Sequence, residues 1–132
     1  MQSEIYTDYA IRILRFLHTH DAEMLTTMQI TQAIDITTPV FASIANQLRN
    51  SGILRTIQGR HGGYMLGKPA NAISIYDVFV SIEGEMRINQ CLETYGLCKH
   101  GKQVECKIHE KLYSMQDEFV ERLSNVFIAD LV

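Results

Sequence analysis

Helix start and stop signals crowd residues 26–54, TTMQITQAIDITTPVFASIANQLRNSGIL, and leave little freedom in how that stretch folds. Thr26 or Thr27 offers a side-chain oxygen to the free N–H groups of a helix start, and Thr37 or Thr38 does the same for a second helix. Pro39 fits the first turn of that second helix, where no backbone N–H is needed. Ile30, Ala33 and Ile34 predict the inward face of the first helix. Val40, Phe41, Ile44, Ala45 and Leu48 predict that of the second. Gly52 is a good C-terminal stop. Two short helices joined this closely make a helix-turn-helix.

Directly after the stop comes ILRTIQGRHGGYMLGK. Two β-prone runs, 53–57 and 64–66, flank the turn QGRHGG, so the segment reads as a hairpin. Arg60 and His61 stand at its tip with no structural task, which makes the hairpin a wing. Charge distribution points the same way. The net charge is -3, yet residues 36–76 contain no Asp or Glu while carrying Arg49, Arg55, Arg60, His61 and Lys68. A locally positive module inside an acidic chain is the electrostatic footprint of a phosphate-binding surface.

The flanks complete a fold class. In EIYTDYAIRILRFLHTH the residues Ile5, Tyr9, Ile13 and Leu17 recur four apart, and Tyr6, Ala10, Leu14 and Phe16 widen the stripe into a helix with a broad buried face. Ser74 and Asp77 have capping-box spacing and open a helix that runs to about Glu83, with Gly84 as its end. From about Cys106 onward, Ile108, Leu112, Met115, Phe119 and Val126 form a coiled-coil-like seam, and a second copy of the chain is the simplest cover for it. The predicted architecture is mainly α with a small β-hairpin wing. A winged helix-turn-helix DNA-binding domain occupies 1–84, a cysteine-containing loop 85–105, and a dimerisation helix 106–132. The partners implied are double-stranded DNA with a palindromic operator and a second copy of the chain, as a homodimer.

Several classes drop out. Hydrophobic residues make up 46% and charged residues 20%, as in ordinary soluble domains. Glu4, Asp8, Arg12 and Arg15 interrupt the apolar N-terminus, so it is not a signal peptide, and no apolar run is long enough to cross a bilayer. A cytoplasmic protein without membrane contact is expected. No nucleophile motif, phosphate-binding loop or paired carboxylates suggest an enzyme.

The chemistry lies in the cysteines. All three, Cys91, Cys98 and Cys106, fall in or beside the one irregular segment. An odd number argues against a disulfide framework, whereas three thiolates in one loop suit a soft metal or an iron–sulfur cluster. The segment lacks tight Cys-x-x-Cys knuckles, which weakens zinc. His109, one helical turn after Cys106, gives the most economical fourth ligand. Asp8 on the first helix reaches the site only through tertiary or dimer geometry, and His100 in the loop is a lesser candidate.

With YTDYAIRILRFL, LRNSGILRTIQGRHGGYMLGK and the cysteine segment ending in CKIHEKL, the chain resembles, over essentially its whole length, the winged-helix iron–sulfur repressors that include IscR and NsrR. The resemblance implies a DNA-binding repressor regulating transcription, with DNA affinity set by a metal-binding site holding a two-iron or four-iron cluster that senses nitric oxide, redox state or iron–sulfur status. It implies that the helix over 39–50 reads the major groove, with Thr38, Pro39, Ser43, Asn46 and Arg49 facing DNA. The wing would add Arg55, Arg60, His61, Gly62 and Tyr64. Asp8 within TDYA matches the nitric-oxide-sensing branch, and His109 after Cys106 matches the cluster-assembly branch. The N-terminal match and the Cys91-to-Cys98 spacing favour the former. A zinc-binding or cluster-free thiol-redox regulator on the same fold is the alternative.

Overall fold

The computed structural model describes residues 4–87 and 106–132. Helix α1 (Glu4–Thr19) turns Ala10, Ile13, Leu14 and Leu17 into the core, none of them more than 2% exposed. Helix α2 (Thr27–Ile34) starts at Thr26. The Thr26 hydroxyl accepts the Gln29 N–H at 3.2 Å, and the Gln29 side chain accepts the Thr26 N–H at 2.9 Å. Asp35 then reverses the chain from the left-handed region, at φ 61°, a conformation its short polar side chain tolerates. Helix α3 (Thr38–Asn50) is capped by Thr37, whose hydroxyl accepts the Val40 N–H at 3.4 Å. It buries Phe41, Ile44, Ala45 and Leu48 and ends before Gly52, where φ of +76° stops the helix.

One inward assignment fails. Ala33 is exposed, while Ile30 is buried and Ile34 half-buried. At about 100° per residue, Ala33 lies roughly 60° to the side of Ile30 away from Ile34. It faces a shallow cleft against α1 beside Arg12, Arg15 and Phe16.

Strands β1 (Leu54–Ile57) and β2 (Gly63–Leu66) pair antiparallel, from Leu54 opposite Leu66 to Ile57 opposite Gly63. Beyond β2, Leu25 from the α1–α2 connection exchanges both backbone hydrogen bonds with Tyr64, at 3.1 and 2.8 Å. Strand β2 is therefore stitched, close to the turn, to the α1–α2 connection. A short 3-10 turn (Ala70–Ala72) leads to α4 (Ile75–Glu83), opened by the expected Ser74 and Asp77 capping box.

Helix α5 (Lys107–Ser124) packs on α4. Its less exposed side carries His109, Leu112, Gln116, Val120 and Leu123. Ile108, Met115 and Phe119, on the neighbouring stripe, are more than half exposed. Leu112, placed on the seam by its spacing, therefore lies on the side packed against the chain's own domain, and the rest of the predicted seam within the helix is an exposed apolar stripe about 70° away. The helix does not run to the end of 106–132. Residues 125–132 turn back to the first domain: the Ile75 N–H donates to Val126 O at 2.8 Å, and the Ile128 N–H to Ile73 O at 2.9 Å. A 3-10 turn (Ile128–Leu131) then packs on α1, with Ile128 wholly buried. Val126, placed on the seam by its spacing, lies past the end of the helix.

Candidate DNA interface and cysteine site

Burial of one side of α3 leaves the other side to solvent. Thr38, Pro39, Ser43, Asn46 and Arg49 are all exposed. The Arg49 guanidinium donates to Asn46 Oδ1 at 3.2 Å, which holds it along the exposed stripe. These side chains offer hydroxyl, amide and guanidinium groups of the kind that pair with base edges and phosphates.

The wing adds exposed Arg55, Arg60 and His61. Its tip closes tightly, with the Gly62 N–H on Gly59 O at 3.1 Å. A Cβ at position 62 would sit 2.0 Å from the Ile57 carbonyl oxygen, so only glycine fits there. Tyr64 differs from the other predicted contacts. It is half-buried, its backbone is bonded to Leu25, and its ring meets Phe41 edge-on with centroids 5.0 Å apart. Tyr64 therefore braces the wing against α3. Sequence reasoning missed Leu25 as the wing's second anchor, because a single bridging residue leaves no periodic signal.

Of the predicted cluster ligands, the structure describes Cys106, His109 and Asp8. Cys91, Cys98 and His100 lie outside the described residues. Cys106 is a half-buried free thiol at the start of α5, and its side chain makes no capping hydrogen bond there. One turn on, His109 stacks on Tyr113 with centroids 6.3 Å apart. Its Nδ1 is buried without a hydrogen-bond partner among the described residues. A buried, unsatisfied ring nitrogen costs about 1–3 kcal/mol, so this atom is chemically suited to a ligand. Asp8 is exposed and pairs with Arg12 at 2.8 Å, one turn along α1. Such an exposed pair contributes only about 0.3–0.5 kcal/mol and is readily given up. Among the described residues, no three metal-ligating side chains come together.

Residues 4–132 match the model of the Rrf2 family, described as an iron-dependent transcriptional regulator. The chain belongs to the Rrf2 family. Solved structures agree on the fold. T. potens IscR aligns with a TM-score of 0.74 over 99% of this chain and 85% of its own, at 16% identity. CymR, the global cysteine regulator of B. subtilis, gives 0.76 over 99% and 95%, at 19% identity. The oxidised form of Staphylococcus aureus CymR gives 0.72 over 99% and 95%, at 22% identity. The resemblance read from the sequence holds at the level of the family, and the winged-helix fold with it. Rrf2 membership makes this chain a transcriptional regulator with a DNA-binding fold. No helix among the described residues is long and apolar enough to cross a membrane.

Proposed function

We propose that this Rrf2 regulator binds a palindromic operator as a homodimer and represses transcription, with an iron–sulfur cluster setting its DNA affinity. The observation that carries the DNA reading is that the exposed stripe of α3 and the basic wing both lie within the run of residues 36–76, which contains no Asp or Glu. In this reading Thr38, Pro39, Ser43, Asn46 and Arg49 enter the major groove. Arg55, Arg60, His61 and the Gly62 backbone follow the adjacent phosphates or minor groove, and Tyr64 holds the wing at the right angle. Two half-sites about one helical turn apart require a fixed separation of the two reading helices. The exposed strip of Ile108, Met115 and Phe119 suits the self-association that would fix it.

Cys91, Cys98 and Cys106 would hold the cluster, with His109 or Asp8 as the fourth ligand. The Nδ1 of His109, buried without a hydrogen-bond partner among the described residues and one turn from a free thiol, favours His109 within one chain. Asp8 is sterically open to a partner subunit and is held only by an exposed ion pair. A bound cluster would supply an oxidisable, nitric-oxide-reactive link between these side chains. The residues themselves would tie the start of α5, and in the Asp8 case α1, to the cysteine segment. Typical coupling between two such sites is about 1–3 kcal/mol.

The fold likeness to CymR, including its oxidised form, gives a second reading: a cluster-free thiol regulator, or one stabilised by zinc. Anaerobic purification with a visible absorption spectrum and iron and sulfide assays separates the two. A brown protein with matched iron and sulfide is expected, and the spectrum of His109→Ala should change more than that of Asp8→Ala. A colourless, iron-free protein would shift the assignment to thiol or zinc chemistry and leave the DNA reading in place.

A further inference from the structure

Helix α4 packs on α1, α3 and α5. Those helices carry Asp8, the reading surface, and the Cys106–His109 turn respectively. The contact of α4 with α3 includes side-chain hydrogen bonds. Ser81 Oγ, half-buried on α4, lies 2.7 Å from Ser51 Oγ and 3.1 Å from the carbonyl oxygen of Gln47. Ser51 Oγ, at the end of α3, lies 3.2 Å from the same carbonyl. Each hydroxyl has one proton to give. If Ser51 donates to Gln47, then Ser81 donates to Ser51 or to the same carbonyl. If Ser81 donates to Gln47, then Ser51 donates to Ser81 or to the same carbonyl. Every arrangement needs the Ser81 hydroxyl, and every one ties α4 to the last turn of α3. Two residues further along α4, Glu83 Oε1 accepts from Thr7 Oγ1 at 3.5 Å, next to Asp8. The last turn of α4 thus holds the reading helix on one side and α1 on the other.

We propose that Ser81 is a positioning residue whose hydroxyl makes the last turn of α3 follow α4, so that a change at the cofactor ligands reaches Arg49. The inference rests on the cofactor reading above. Packed helices slide past one another by about 1–2 Å in switching transitions, and an apolar contact permits such sliding. A hydroxyl bridge to a main-chain carbonyl is directional and resists it. Arg49 lies between Gln47 and Ser51, so a shift of that turn moves its guanidinium.

The test uses the full chain and a duplex selected by the wild-type protein from a randomised DNA pool. Affinity for that duplex is measured with iron–sulfur-reconstituted and with metal-free protein, and the ratio of the two is compared across variants. Ser81→Thr and Ser81→Val have nearly the same shape and differ in the hydroxyl. Residues along a coupling path typically change such a ratio by roughly 2- to 30-fold. Ser81→Val and Ser81→Ala should pull the ratio toward one by at least about threefold, while Ser81→Thr keeps the wild-type value. A full ratio in Ser81→Val, or equal weakening of both states, overturns the proposal. If Ser81→Ala does not fold, the Thr and Val pair decides. A wild-type ratio of one sinks the cofactor reading and the coupling role with it, and that outcome is read on the wild type alone.

Discussion

Helices α3 and α5 are both amphipathic, yet they leave opposite kinds of surface uncovered. On α3 the large apolar side chains Phe41, Ile44 and Leu48 are buried, and what remains outside, besides Pro39 and the small Ala42, carries hydroxyl, amide and guanidinium groups. On α5 the buried face includes Gln116, while Ile108, Met115 and Phe119 are 67%, 54% and 51% exposed. A hydrated polyanion is held by charge and hydrogen bonds, and its affinity falls steeply with salt. A protein partner is held by desolvated apolar area. The two helices therefore leave surfaces of different chemistry uncovered. The acid-free run that includes α3 and the acid-bearing sequence of α5, with Glu110, Asp117, Glu118 and Glu121, sharpen the contrast.

The comparison can be broken in four places, with effects of decreasing size. Ile128 is wholly buried against the first domain although it follows α5. Ile128→Ala should lower unfolding free energy by about 2–5 kcal/mol in chemical denaturation. A value near zero would make the two regions independent. Next, Phe119→Asp should weaken self-association by about 2–4 kcal/mol, read by sedimentation equilibrium. Dimers that persist unchanged would remove the apolar strip from the seam. Arg60→Ala should cost about 1–2 kcal/mol of operator affinity and lower the salt slope by about 0.9, with the thermal midpoint unmoved. Unaltered binding would take the wing tip off the DNA. Smallest, Thr37→Ala removes the cap of α3 and should cost about 1 kcal/mol of stability. The Thr26→Ala change at the start of α2 is the matched control.

The helix starts, which depend on chemistry within one turn, were legible in the sequence. Thr26, Thr37 and Ser74 cap helices because their side chains reach their own next backbone N–H groups, and Gly52 stops α3 because its φ is positive. The family was legible too, through YTDYAIRILRFL, the wing segment and the cysteine segment ending in CKIHEKL. What was not legible depends on partners far along the chain. The inward turn of Tyr64 is set by Leu25 and Phe41, and the return of residues 125–132 by the backbone of Ile73 and Ile75. Neither leaves a period or a motif. The Nδ1 of His109, without a hydrogen-bond partner among the described residues, adds to the sequence reading of the fourth ligand, because spacing could pair it with Cys106 but could not say that the atom is buried. Ser81 reads from sequence as an ordinary helix serine, and only the approach of α3 gives its hydroxyl a role.

The return of Ile128 to the core also bears on how such chains can be recombined. A helix that merely protruded could be traded for another, giving one reading head many oligomeric arms. Here the chain after α5 is rooted in the winged-helix domain, so a graft cut at the start of α5 would tear out part of that domain's own interior. A workable chimera must bring the residues after Ser124 along with the head, or rebuild the surface they cover. The natural unit of exchange is the whole described chain, with reader and arm inherited together.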